Sequence, residues 1–262
     1  MTGIGVIDEA RLREVVEAHD LDWHYREQTE STNTDALEYH ARHRRELVAF
    51  AESQTAGRGR RGRQWLSPHG QNLYCSIGLV KALPPAQLGL LSIVTGLALC
   101  RALQQSCEVR PDLKWPNDLL IDGHKLGGIL IESRPGDGDE VFFAIGFGLN
   151  VFLDESTRRS IDRPVASLHR VAPRTPDRSR ILAAAVTEVV ASIRAFRAEQ
   201  VDRLVQEFRR YDAFHDRPVE LVTPNARHSG INRGIDASGA LRLDTGPGVE
   251  SHPAGEISLV PR

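Results

Sequence analysis

The sequence predicts an α+β protein, with helices and strands mixed over residues 1–212 and a small β-domain over residues 213–262. Three observations predict this fold class. Segments with helical spacing of apolar residues alternate with short apolar runs through the larger part. Asp122-Gly123 is a hairpin turn signal between two such runs. After Phe214 the runs become short and are cut by glycine and proline, which is typical of a small all-β module.

The elements follow from local patterns, taken in chain order. Cap-forming side chains around Ser31 indicate the start of the second helix, and Pro84-Pro85 interrupts the chain before the third. Helices are predicted at residues 8–19, 34–45, 86–107, 177–198 and 200–211. Strands are predicted at residues 47–52, 73–80, 113–115, 119–121, 125–132 and 140–151, then 219–222, 230–235, 240–243 and 257–260.

Length and composition are those of an ordinary globular chain. It has 262 residues, 40% hydrophobic and 26% charged, enough to bury a core without disulfide or metal staples. A formal net charge of −2 argues against a protein that coats nucleic acid. Three cysteines without a C-x-x-C pair fit a reducing compartment. The longest mostly apolar stretch, residues 141–153, is too short to cross a bilayer, and we expect a cytoplasmic protein with no membrane partner.

The strongest local signal is Gly57–Arg63, which contains four arginines and three glycines in seven residues. The guanidiniums repel one another, so the segment is predicted to be mobile alone and to become ordered around anions. Its glycines let backbone N–H groups approach a ligand closely. A solvated basic loop stays an open alternative. The dinucleotide fingerprint G-x-G-x-x-G also matches, but the helix and the acidic residue that it requires do not follow.

Polar groups also stand at two predicted strand ends. Pro116 fixes a corner that presents Asn117 and Asp118, although a simple proline turn would account for the same residues. Lys125-Leu126-Gly127-Gly128 begins a strand with a lysine and two glycines, which suits either close ligand approach or a bulge. No metal site is predicted, and the histidines of residues 40–43 are expected on a solvated helix face.

Taken together and in this order, these segments resemble the biotin–protein ligase family. The resemblance covers nearly the whole chain from residue 28. It is carried by Ser31–Asn33, residues 54–65 (QTAGRGRRGRQW), Lys114–Asp118 (KWPND), residues 125–130 (KLGGIL), Gly146–Asn150 (GFGLN), Arg233–Asp236 (RGID) and Gly255–Leu259 (GEISL). It implies a mixed β-sheet flanked by helices, as in class II synthetases and biotin ligases, with a small C-terminal β-barrel. Because only residues 1–25 precede the catalytic segment, we expect the monofunctional type without a DNA-binding domain.

The activity that the resemblance implies is a two-step ligation. Biotin and ATP, with Mg²⁺, give biotinyl-5′-AMP, and the biotinyl group then passes to one lysine of a biotin carboxyl carrier protein. A lipoate- or octanoate-transferring enzyme of related fold is the alternative, although Trp65 and the C-terminal module favour biotin. A biotin-sensing transcriptional regulator is an alternative of another class, which the net charge opposes. Monomer and homodimer both stay open.

The resemblance also assigns site residues. Biotin is expected to contact Ser31, Thr32, Asn33, Gln54, Gly57, Arg58, Gly59, Arg60, Lys125, Gly127 and Gly128. ATP and the adenylate are expected to contact Arg58, Arg60, Arg63, Trp65, Asn117, Lys125 and Asn150. Three residues are expected to be catalytic. Lys125 would bridge the biotin carboxylate and the α-phosphate, Arg60 would lie over the ligand, and Asp118 is a hypothetical base for the incoming amine. A loop at Asp154–Val165 is expected to order over the adenine.

Overall fold

Seven strands form the central sheet of the protein, for which a computed structural model describes residues 5–84, 87–161, 164–223 and 225–260. The strands are β1 (Asp22–Thr29), β2 (Leu47–Gln54), β3 (Leu73–Ala82), β4 (Asp112–Lys114), β5 (Asp118–Ile121), β6 (His124–Pro135) and β7 (Glu140–Leu149). Their spatial order is β1-β2-β3-β7-β6-β5-β4. The β1–β2 pair is parallel and the other described pairs are antiparallel, so the predicted mixed sheet is confirmed.

Helices cover both faces of this sheet, as expected. They are α1 (Glu9–Glu17), α2 (Thr32–His43), α3 (Leu90–Cys107), α4 (Glu155–Ser160), α5 (Leu168–Val171), α6 (Arg178–Ala195) and α7 (Val201–Arg209). On one face, α3 and α6 pack together over a large apolar cluster that includes Phe50. On the other face, α2 packs through Ala36 and Leu37 against Phe142. The ring of His40 also stacks on Phe142, so the expectation of a solvated face is wrong for this histidine.

The helix α3 has the length and apolar composition that a membrane span would need, which the search for apolar stretches missed. Most of its residues are buried against α6 and the sheet. That environment is the one of a core helix in a folded domain.

Three elements of the larger part, β1, α4 and the four-residue helix α5, are missed by the local patterns. The edge strand β1 presents only Trp23 and Tyr25 to the core, where both rings stack on Phe50 with centroids 6.2 Å apart. The helix α4 stands where a loop at Asp154–Val165 is predicted, because the Asp154 side chain accepts a hydrogen bond from Thr157 N and caps it. Residues 162 and 163 of that loop, like Pro85, lie outside the described residues.

The C-terminal module is a second antiparallel sheet. Its strands are β8 (Pro218–Val222), β9 (Arg227–Ile235), β10 (Leu241–Asp244), β11 (Val249–His252) and β12 (Glu256–Leu259), in the order β11-β10-β9-β8-β12. Among the described residues β11 and β12 are edges, so the expected barrel is not closed. Both edges are short, and Pro253 between them has no N–H to donate. The boundary between residues 212 and 213 stays a prediction.

Candidate active site

A cleft opens where the end of β2, the start of α2 and the strands β6 and β7 meet the glycine–arginine segment. Six cationic side chains and two carboxylates line it, in a chain whose formal net charge is −2. Of the predicted site residues, all but Gly57, Gly127 and Asn150 line this cleft. The fold therefore concentrates positive charge at the predicted site, which suits anionic ligands.

The four arginines of the segment bond to three parts of the molecule, because Arg61 and Arg63 both reach paired residues of the C-terminal sheet. Arg58 Nη2 donates to Glu132 Oε2 at 2.8 Å, and Arg58 Nη1 donates to Thr34 Oγ1 at 3.1 Å. Arg61 Nη2 donates to the carbonyl of Val222 at 3.2 Å. The segment is predicted to become ordered around ligand anions. In this structure, protein groups already supply part of the partners of its arginines.

Arg63 joins the cleft to the C-terminal sheet. Its two terminal nitrogens donate to the two carboxylate oxygens of Glu256 at 2.8 and 2.6 Å, a bidentate pair. The Arg63 guanidinium holds the pKa of the Glu256 carboxyl below its usual value. The Glu256 carboxylate on β12 thus holds the Arg63 side chain in place.

Arg60 differs from Arg58 and Arg63 because no carboxylate of the described residues forms an ion pair with it. Its Nη1 donates a long hydrogen bond of 3.4 Å to Asn117 Oδ1. Burial, and then the charge of Arg61, lowers the pKa of the Arg60 guanidinium. A half-buried cation with an amide oxygen as its described partner is the group best placed to bind a ligand anion.

Lys125 and Asp118 form a second charged pair in the cleft. Lys125 Nζ donates to Asp118 Oδ1 at 2.6 Å, and each side chain is only 15% exposed. The ammonium also lies 5.4 Å from the centroid of the Trp65 ring. A Cβ at Gly128 would approach Lys125 Nζ to 3.2 Å, so this glycine leaves room for the lysine above β6. The pair holds one cation at the centre of the site.

A side pocket adjoins the cleft and shares a wall with it. Trp65 and Lys125 line both spaces, and the side pocket continues to Asn150, Ile161 and Val165. Trp65 Nε1 is buried and has no hydrogen-bond partner among the described residues. A buried donor of this kind suits an acceptor atom of a ligand. Ile161 and Val165 belong to the Asp154–Val165 segment that is predicted to order over the adenine, so that segment lies beside this pocket.

Polar side chains form the floor of the cleft. Gln54 Oε1 accepts from Thr32 N at 3.0 Å. Ser76 Oγ donates to Asn33 Oδ1 at 2.6 Å and shares a hydrogen bond of 2.7 Å with the Thr32 hydroxyl. Ser31 is the N-cap residue of α2, yet its side chain makes no capping hydrogen bond. The Ser31 hydroxyl is therefore not committed to the helix.

The Asn33 amide ties this floor to the arginine segment. Asn33 Nδ2 donates to the Leu130 carbonyl at 3.1 Å and to Glu132 Oε2 at 2.8 Å. Glu132 Oε2 in turn accepts from Arg58. Ligand contact by Asn33 stays a prediction, since its amide is already bonded to protein.

Three predicted site residues have structural surroundings that account for them without a ligand. A Cβ at Gly57 would lie 2.5 Å from the Trp65 carbonyl, and one at Gly127 would lie 2.7 Å from the Gly148 carbonyl. Asn150 Nδ2 donates to the Lys125 carbonyl at 3.3 Å and so positions the backbone of that lysine. Their roles as direct ligand contacts stay predictions.

Glu132, Glu256 and Ser76 are the polar residues of the site that the sequence analysis missed. Each acts through a partner distant in sequence, such as the pair of Arg58 and Glu132. Only the position of Glu256 inside the GEISL segment offered a signal.

Replacing Glu132 with glutamine should loosen the arginine segment. The Arg58–Glu132 pair is partly exposed, so its loss should raise the rate of tryptic cleavage within Gly57–Arg63 by about two- to fivefold. Glu38→Gln, which removes a surface partner of Arg42 on α2, is the control and should leave that rate unchanged. Equal cleavage of Glu132→Gln and the unchanged chain would show that the pair does not hold the segment.

Comparisons with known proteins agree with this geometry. Residues 25–150 match the Biotin/lipoate A/B protein ligase family, and residues 214–260 match the Biotin protein ligase C terminal domain. The bifunctional ligase/repressor of Salmonella typhimurium is 36% identical over 231 residues, which span 88% of this chain and 72% of the relative.

Two further relatives extend over most of the chain. The biotin--[acetyl-CoA-carboxylase] ligase of Mycobacterium tuberculosis is 33% identical over 261 residues, which span 96% of this chain and 95% of the relative. The solved structure of biotin protein ligase from Aquifex aeolicus in complex with biotin and ATP is similar with a TM-score of 0.75 at 25% identity. That match covers 92% of this chain and 99% of the other.

Proposed function

This chain belongs to the biotin protein ligase family, and we propose that it activates biotin with ATP as biotinyl-5′-AMP and then biotinylates a lysine of a carboxyl carrier protein. The observation that carries the proposal is the cationic cleft, in which Arg60 lacks a carboxylate partner among the described residues. Cys75, Cys100 and Cys107 are free in the described residues, and free cysteines support a reducing, cytoplasmic location.

The first step joins two anions. The biotin carboxylate attacks the α-phosphorus, a C–O–P anhydride forms, and the bond from that phosphorus to pyrophosphate breaks. A carboxyl group with a pKa near 4 is already ionised at neutral pH, so no general base is needed. Two unit charges 4 Å apart repel by about 4 kcal/mol at an effective dielectric near 20. Lys125 and Arg60 offset this repulsion where charge develops.

Magnesium is expected to enter with ATP and to neutralise phosphate charge. The two cleft carboxylates, Asp118 and Glu256, are paired with Lys125 and Arg63. We therefore assign no protein ligand to the ion. The residues of this chain supply the remaining positive charge.

The polar floor supports biotin over an aliphatic acid as the substrate. Ser31, Thr32 and Gln54 would hydrogen-bond the polar ring of biotin. The aliphatic chain of lipoate or octanoate would leave the Ser31 hydroxyl and its neighbours without such partners, which costs binding free energy. Binding of biotin and lipoate should be compared by calorimetry to separate the two substrates.

The second step needs a neutral amine. A carrier lysine has an ordinary pKa near 10.4, so about one molecule in 2,500 is neutral at pH 7. Asp118 is one of the two carboxylates that line the cleft, and it accepts a hydrogen bond from Lys125. We retain Asp118 as the candidate base that takes the proton as the amide forms and AMP leaves.

Replacing Asp118 with asparagine should separate the two steps. The asparagine oxygen can still accept from Lys125, so adenylate formation should fall only a few-fold. Loss of a general base should slow transfer from preformed biotinyl-5′-AMP by about a hundredfold or more. Single-turnover measurements with isolated adenylate report this rate. If transfer is unchanged, Asp118 is not the base.

The activity itself is tested by incubation with biotin, MgATP and a carrier domain. The expected result is a mass gain of one biotinyl group on the carrier, absent without ATP. A carrier with its acceptor lysine replaced by arginine is the control. No mass gain on the intact carrier would refute the proposed function.

A further inference from the structure

Two imidazoles and one carboxylate come together in the C-terminal sheet, outside the cleft and the side pocket. They belong to His228 on β9 and to Glu250 and His252 on β11. One nitrogen or oxygen atom from each side chain lies within 4.8 Å of the other two. Nothing in the ligation chemistry uses this cluster.

Strong curvature of the sheet creates this cluster, since the hydrogen-bond ladders alone would keep the histidines apart. His252 pairs with Leu241, and Leu241 pairs with Ile235, seven positions along β9 from His228. Seven residues of extended strand span about 23 Å. The two imidazole centroids are nevertheless 4.7 Å apart. The sheet therefore curls until β9 and β11 meet side chain to side chain.

The three side chains place their ligand atoms close together without hydrogen bonds among them. His252 is only 13% exposed, and its Nε2 is buried without a hydrogen-bond partner among the described residues. Glu250 Oε2 approaches that nitrogen to 3.4 Å without hydrogen-bond geometry. The Glu250 side chain is 55% exposed, so solvent reaches the cluster from one side. Such an arrangement leaves lone pairs available for a third partner.

We propose that His228, Glu250 and His252 bind one divalent transition-metal ion, of which zinc fits best. Two imidazoles and one carboxylate form a known zinc ligand set, with water in the fourth position. Tetrahedral ligands at about 2.1 Å from zinc lie about 3.4 Å apart, which is the separation of Glu250 and His252. Only His228 has to move closer.

The bound ion would link β9 and β11, which are not joined by hydrogen bonds to each other in the described sheet. Glu250 and His252 stand two positions apart on β11 and so share one face of the strand. Coordination to His228 links that face to β9 across the curled sheet. Metal binding is therefore expected to stabilise the C-terminal module and to be independent of biotin and ATP.

The test uses untagged, full-length protein treated with EDTA and then dialysed. Calorimetry with zinc chloride should give one bound equivalent per chain. His228→Ala and His252→Ala should each bind at least about tenfold more weakly. His69→Ala is the matched control, because His69 is also beside a carboxylate, at 2.9 Å from Glu27. It should bind zinc as the unchanged chain does.

Two further measurements identify the side chains that bind the ion. Cobalt bound by nitrogen and oxygen gives visible absorption bands without the near-ultraviolet sulfur band that cysteine ligation produces. Zinc should raise the thermal unfolding midpoint of the unchanged chain and of His69→Ala, but not of His252→Gln, which keeps a polar side chain. No zinc binding by the unchanged chain, or binding by the His228 and His252 variants equal to that of the unchanged chain, would overturn the proposal.

Discussion

Arg60→Gly is expected to release biotinyl-5′-AMP about ten- to a hundredfold faster, because a charge-assisted contact to the ligand is lost. The released adenylate then reacts with lysines of bystander proteins. Rapid-dilution measurements give the release rate, and biotin blots of added albumin give the non-specific labelling. The prediction follows from the absence of a carboxylate partner for Arg60 among the described residues.

Arg61→Gly is the matched control for this experiment. It removes the same charge from the same segment, and Arg61 has a φ of 58°, a conformation that glycine adopts without strain. Its guanidinium donates to the Val222 carbonyl and lies 4.0 Å from the Glu256 carboxylate, both in the C-terminal sheet. Release should therefore change less than in Arg60→Gly. Equal release by both variants would mean that the charge of the segment matters and the position of Arg60 does not.

Lys125→Met is expected to slow adenylate formation by about a hundred- to a thousandfold, as loss of a positioned charge does in other active sites. Methionine keeps much of the side-chain volume but leaves Asp118 without its cation. Pyrophosphate release in a single turnover gives the rate. Thermal unfolding should be measured as well, since an unpaired carboxylate that is 15% exposed destabilises the fold.

Two variants make this result specific. Lys114→Met removes a second lysine of the same cleft and should have a much smaller effect. The double variant Lys125→Met with Asp118→Asn should be little worse than Lys125→Met alone in the first step, because the two residues act as one unit. A Lys114→Met defect as large as that of Lys125→Met would refute the special role of Lys125.

Much of the fold could be predicted because its signals are local. The helix α1 buries one periodic face, and the strands β2 and β3 are nearly continuous buried runs, so both kinds of signal are complete in the sequence. The missed strands β1 and β11 are edges without a fully buried residue; β1 is mostly half-buried and β11 mostly exposed. Their side chains carry little apolar pattern, and only pairing with a neighbour makes them strands.

The site shows the same division between local and tertiary signals. The arginine segment and Lys125 stand out in the sequence, and the fold brings them into one cleft with Gln54. Glu132 and Glu256 could not be predicted, because an ion pair such as Arg63–Glu256 joins residues far apart in the chain. Whether a given arginine faces a ligand or a protein carboxylate is decided by tertiary structure.

The shared wall of Trp65 and Lys125 has a thermodynamic consequence for the two substrates. With biotin in the cleft and ATP in the side pocket, as proposed, one ammonium faces both anions and cannot neutralise them independently, so we expect the two affinities to be linked. Linkage is reciprocal: the factor by which ATP changes the dissociation constant of biotin equals the factor by which biotin changes that of ATP. When both compounds are scarce, the fraction of chains ready to react follows the product of their concentrations.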